Sequence, residues 1–165
     1  MDPAEIAELI TEDPDVIAEA RKPLMRFLKT NLPNVPDYVL KDFFYQMLKD
    51  ASKKEMHEAL ENYSHYKWVL KKDFPISLDI FDESTIKRLK ERKGGSENPY
   101  QVPRDEERHE KQKELIAQKG LPTEPIILIQ DGDKFELVEG WHRTIQLLNL
   151  FPKGYKYPNV YIGTQ

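Results

Sequence analysis

The chain has 165 residues, a formal charge of −4, 33% charged residues and no cysteine. The last point excludes disulfides, thiolate metal sites and a cysteine nucleophile. The acidic balance argues against a protein that coats nucleic acid through a general basic excess. The length allows one domain, or a small domain with a helical extension. The longest apolar run is too short to span a bilayer, and the acidic N-terminus lacks the basic and apolar regions of a signal peptide. The expectation is a soluble cytoplasmic protein with no membrane partner.

The first 72 residues read as an all-helical subdomain. Asp2-Pro3 and Asp13-Pro14 each look like a cap followed by proline in the first turn. Ile6, Leu9 and Ile10 share one face, and Val16, Ile17 and Ala20 lead into Leu24, Phe27 and Leu28. Pro23 inside that run predicts a kink or a break. After a loop at 31–36, residues 37 to about 50 form a helix striped by Val39, Leu40, Phe43, Phe44, Met47 and Leu48. Ser52 with Glu55 fits a capping box, opening a helix through Met56, Ala59 and Leu60 towards Tyr66. Stripes at this period mean core packing. Tyr63, His65, Tyr66 and Trp68 are denser than a core helix needs. They cover the C-terminal half or line a ligand cleft, and the helical region is also the surface a protein partner would use. His57 and His65 are too far apart for a simple helical metal pair.

Composition shifts near 71–75, which places a second domain at 73–165. Residues 76–81 alternate and predict a strand. Asp82 or Ser84 starts a helix carrying Ile86 and Leu89. Its end holds the most basic run of the chain, with Lys87, Arg88, Lys90, Arg92 and Lys93. Either the helix dipole favours these cations at a solvated end, or they contact phosphate or nucleic acid. An extended segment with Asn98-Pro99 and Pro103-Arg104 follows, and Asp105 begins a charged helix closed by Lys119-Gly120. Residues 126–129 are continuously apolar and read as a buried strand, and Asp131-Gly132 marks a hairpin turn. Residues 135–138 alternate like a strand. From Trp141 onward the apolar positions 141, 145 and 148 lie on one helical face, with Leu147 beside them. A last short strand is expected at 159–163.

The strand that turns through Gly140 into a helix is the one stretch where backbone geometry and useful side chains converge. A helix start offers backbone N–H groups and partial positive charge to an anion. Gly140 lets the backbone approach a ligand. Arg143 has a fork for two phosphate oxygens. His142 donates a hydrogen bond and acts as acid or base near neutral pH. Glu139 is the nearest carboxylate, suited to holding Mg2+ beside a triphosphate or to serving as a general base. The plain alternative has His142 and Arg143 capping a neighbouring carboxylate, with Trp141 in the core.

The order of pieces in the second half resembles the N-terminal domain of the ParB and sulfiredoxin superfamily, over about residues 75–163. Asn98-Pro99 with Pro103-Arg104 resembles the family's Asn-Pro…Arg box, with Val102 adding a residue to the commonest spacing. Lys119-Gly120 and Pro125-Ile126-Ile127-Leu128 resemble its helix-end glycine and Pro-Ile strand. Leu137-Val138-Glu139-Gly140-Trp141-His142-Arg143 resembles its glycine motif. The resemblance implies a small mixed sheet with flanking helices, an α+β fold, and a phosphate or nucleotide site formed by Gly140, Trp141, His142, Arg143, Thr144, Asn98 and Arg104. Arg104 would be a second cationic clamp. A nucleoside triphosphate with Mg2+ on Glu139 is the implied cofactor, with Glu139 and His142 as catalytic residues. ParB proteins bind cytidine triphosphate at a Gly-Glu-Arg-Arg box, sulfiredoxin carries Gly-Cys-His-Arg, and a related free-serine kinase has Gly-x-His-Arg. The present chain is most similar to the last form. Trp141 stands where sulfiredoxin keeps its catalytic cysteine, so that chemistry is excluded. Three functions follow as expectations: a nucleotide-dependent phosphotransferase or hydrolase, a DNA-binding protein or nuclease using the basic run, and a non-catalytic interaction protein.

Overall fold

A computed structural model describes the backbone of residues 14–95 and 102–165, and the side chains of 23–91 and 110–165. The expected helix bearing Ile6, Leu9 and Ile10 and the Asn98-Pro99 segment lie outside the described residues. The fold is mixed α+β, and the chain forms two compact units. One extends to Trp68 and takes in Gly163–Gln165, and the other is Val69–Ile162.

The first unit is built from helices α1 (Pro14–Asn31), α2 and α3 (Lys53–Tyr63). α1 continues through Pro23 without a break. Proline costs one backbone hydrogen bond there, and the burial of Leu24 and Leu28 on the following turns offsets it. α2 runs as Asp37–Val39, a π-helical turn at Leu40–Phe44, and Tyr45–Leu48. The turn places Leu40 and Phe44 in the core. α3 starts as its capping residues dictate: the Glu55 N–H donates to Ser52 Oγ at 3.2 Å, and Ser52 Oγ donates to the Glu55 carboxylate. Phe44 is fully buried and meets Tyr63 edge-on at 5.2 Å and Trp68 at 6.2 Å, while Tyr66 lies 5.0 Å from Tyr63. The dense aromatic residues therefore pack on one another within this unit, and His65 is exposed.

The sheet has strand order β1-β4-β2-β3, with β1 Lys67–Ile76, β2 Ile126–Asp131, β3 Lys134–Glu139 and β4 Tyr155–Thr164. β2 and β3 form the expected hairpin, pairing Asp131 with Lys134 and Ile129 with Glu136. Ile126 to Ile129 are all buried, as a strand covered on both faces requires. The helices of the second unit are α4 (Glu83–Gly95), α5 (Val102–Lys119) and α6 (Trp141–Leu150). Asp82 is the residue that starts α4, accepting the Thr85 N–H at 2.8 Å.

The strand expected at 76–81 lies earlier, and β1 begins at Lys67, inside the stretch to residue 72 expected to be all helical. β1 ends at Ile76, Leu78–Ile80 is a 3-10 turn, and Phe81 makes only a single bridge to Phe135. Positions three apart share a face of such a turn, so Leu78 and Phe81 reach the same core without a strand. The helix expected from Asp105 begins at Val102, with Pro103 in its first turn, where the missing N–H is harmless. The last strand is longer than expected and starts at Tyr155.

Candidate functional site

The turn from β3 into α6 sits against β2, and Gly140 makes this possible. Gly140 is buried, has φ 98° and ψ 28°, and is the N-cap of α6. A Cβ there would lie 2.5 Å from Ile126 Cγ2 and 3.3 Å from the Arg143 guanidinium. Both the left-handed backbone and the close approach exclude a larger residue. The Thr144 N–H closes the first turn on the Gly140 carbonyl at 3.0 Å. No side chain caps the start of α6.

Arg143 reaches from the first turn of α6 to the loop before β2. One guanidinium nitrogen donates to the Pro125 carbonyl at 2.8 Å, and the other meets the Glu124 carboxylate at 2.9 Å. Arg143 is 21% exposed and Glu124 is 65% exposed. Two side chains of β4 hold the same loop. The Tyr157 hydroxyl donates to the Glu124 carbonyl at 2.6 Å, and Asn159 Nδ2 donates to the Thr123 carbonyl at 2.7 Å. Lys72 of β1 in turn donates to Asn159 Oδ1. Three successive carbonyls, of Thr123, Glu124 and Pro125, are each taken by a different side chain. Burial pushes the Tyr157 hydroxyl above its ordinary range, against the pull of Arg143 beside it, so it remains a donor at neutral pH. Arg143 thus pairs with a neighbouring carboxylate, the plain alternative read from the sequence, while standing in the turn where an anion would be met.

Trp141 is half-buried and packs on the core of the second unit. The Arg88 guanidinium lies 4.3 Å from its ring centroid, a cation–π contact. One residue of the basic run therefore belongs to the glycine turn. Lys87 and Lys90 are exposed on α4, and the side chains of Arg92 and Lys93 lie outside the described residues. His142 is exposed and Glu139 is half-buried at the end of β3. Thr144 is buried with its hydroxyl towards Tyr155, whose own hydroxyl is raised far above the ordinary range, chiefly by burial. Glu136, on the exposed face of β3, is raised by partial burial first and then by Asp82, with Arg88 opposing. Asn98 and the side chain of Arg104 lie outside the described residues.

Beside Arg143 opens a cavity of about 460 Å³, within the size range of small-molecule sites. The end of α5, the loop after it and the inner face of α6 line it, with Leu115, Ile116, Leu121, Arg143, Gln146 and Leu150 prominent. Sequence reasoning singled out Gly140, Trp141, His142 and Arg143, and it placed Arg88 in the basic run. It did not single out Glu124 or Tyr157, nor the stacking of Arg88 on Trp141, because an ion pair across a loop, a bond to a backbone carbonyl and a ring contact leave no spacing pattern. Among the described residues no three His, Asp or Glu side chains group to hold a metal. None of the helices among the described residues is long and apolar enough to cross a membrane. No model of a known protein family, no curated protein and no solved structure matches this chain.

Proposed function

We propose that the protein binds a phosphate-bearing ligand, a nucleotide in the reading that the ParB and sulfiredoxin resemblance supplies, at the turn from β3 into α6. The observation that carries this is the placement of Arg143. A half-buried guanidinium stands in the first turn of a helix that has no side-chain cap, between a buried left-handed glycine and a ligand-sized cavity. The helix start attracts negative charge. Arg143 supplies a charged donor for a phosphate oxygen, and Arg88 adds a second cation at Trp141. In this reading the second unit is a domain of the ParB and sulfiredoxin type, and its strand-hairpin-helix order through Gly140 supports that assignment.

The reaction class that suits these side chains is phosphoryl transfer or phosphate-ester hydrolysis, where positioning and charge stabilisation supply most of the catalysis. His142, exposed on the first turn, would donate to a phosphate oxygen or move a proton. Glu139 would supply one carboxylate to a Mg2+ ion carried in on the phosphates, which is how Mg2+ is commonly held, or would act as a base. Calorimetry with the common nucleoside triphosphates plus Mg2+ tests the binding, and released phosphate tests the chemistry. Saturable binding, with turnover abolished in Glu139→Gln, is the expected result. Absence of binding to every triphosphate and to inorganic phosphate overturns the proposal.

A further inference from the structure

We infer that the cavity beside Arg143 takes the apolar body of a phosphate monoester, and that Glu124 is an internal stand-in which the ligand's phosphate displaces. This rests on the phosphate-binding reading of the turn and adds the class of ligand and its competitor. The cavity wall is apolar where Leu115, Ile116, Leu121 and Leu150 line it, and cationic or polar at Arg143, Lys119 and Gln146. An anionic head with a compact apolar body matches that division. Leu115 is 49% exposed, an apolar side chain left at the cavity edge.

Among the contacts of Arg143, those to the Pro125 carbonyl and to the Glu124 carboxylate are unequal. The bond to the Pro125 carbonyl is part-buried, and the loop it holds is pinned again by Tyr157 and Asn159. That contact keeps the guanidinium in place. The other contact goes to a mostly exposed carboxylate, and ion pairs of this kind contribute little. The Glu124 side chain swings away at small cost while its backbone stays fixed by Tyr157. A phosphate oxygen then takes the vacated nitrogen, and the ester's body enters the cavity.

Calorimetry of the full chain with inorganic phosphate, phenyl phosphate and phenol tests this. Phenyl phosphate binds at least about tenfold tighter than inorganic phosphate, from the apolar area the ring buries, and phenol binds far more weakly than the ester. Glu124→Gln tightens both phosphates about threefold, the size expected for removing an exposed competing ion pair. Leu115→Asn weakens phenyl phosphate about threefold and leaves inorganic phosphate unchanged, with thermal unfolding confirming that both variants fold. If inorganic phosphate binds and phenyl phosphate binds no tighter, the cavity assignment is overturned while the phosphate site stands. If Glu124→Gln leaves both affinities unchanged, the stand-in role is overturned. If neither phosphate binds any variant, the phosphate reading falls and this inference with it.

Discussion

Gly140 carries two constraints that a single substitution separates from ordinary glycine strain. Its φ of 98° costs a side chain about 1–2 kcal/mol, and a Cβ also collides with Ile126, adding overpacking of about 1–3 kcal/mol. Gly120 has φ 82° with open space around its Cβ position. Gly140→Ala is therefore predicted to lower stability by about 2–5 kcal/mol and Gly120→Ala by about 1–2 kcal/mol, compared by urea unfolding. Equal losses would show that the close approach to Ile126 is relaxed at little cost. At Arg143 the loop clamp and the proposed phosphate site overlap. Lysine keeps its charge but loses the fork, so Arg143→Lys should weaken phosphate binding while also loosening the hold on the loop at Glu124 and Pro125. Glu136 gives a pH test. Its folded-state pKa is raised above the ordinary 4.5, so the folded state resists ionisation more than the unfolded chain. The resulting penalty is absent well below pH 4.5, grows as pH rises through that value, and levels off once the folded group has ionised. The Glu136 side chain is solvent-exposed and solvent screens the effect, so Glu136→Gln should be only slightly more stable than the wild type at neutral pH and equal to it at pH 3, measured by thermal unfolding across pH.

The elements differ in how far the sequence wrote them. α3 was legible because Ser52 and Glu55 are local signals that act locally. The hairpin was legible because four buried apolar residues and Asp131-Gly132 specify a strand and its turn. β1 was not legible. It is an edge strand whose residues 69–73 are all exposed, so it has no core face to print an alternating pattern, and its lysines suit an edge that must resist pairing. The turn at Leu78–Ile80 mimicked a strand because two periods coincide over so short a run. At the site, the glycine and its helix were readable from the change of period at Gly140. The loop clamp was not, because Tyr157, Asn159 and Arg143 bind backbone carbonyls that any sequence provides. That clamp is open to direct test. Tyr157→Phe removes the bond to the Glu124 carbonyl and should cost about 1 kcal/mol in urea unfolding. A cost near zero would mean the loop is held without it.

The chain as a whole combines a helical unit with its own aromatic core and a second unit that contains the whole candidate site. Its net charge of −4 opposes a phosphate backbone, and the described side chains of α4 offer three exposed cations, Lys87, Arg88 and Lys90, of which Arg88 stacks on Trp141. Duplex DNA is therefore predicted to give no gel shift at about 150 mM salt, since phosphate-backbone binding needs several cations. The central claim concerns the turn at Gly140, and one of the chain's two tryptophans lies in it. In a Trp68→Phe variant, fluorescence reports Trp141 alone. Titration with inorganic phosphate and with nucleoside triphosphates plus Mg2+ should then give a saturable change with a Kd of about 1 mM or tighter, markedly weakened when Arg143→Lys is added. A flat signal to about 10 mM of every ligand, with calorimetry equally silent, would contradict the account.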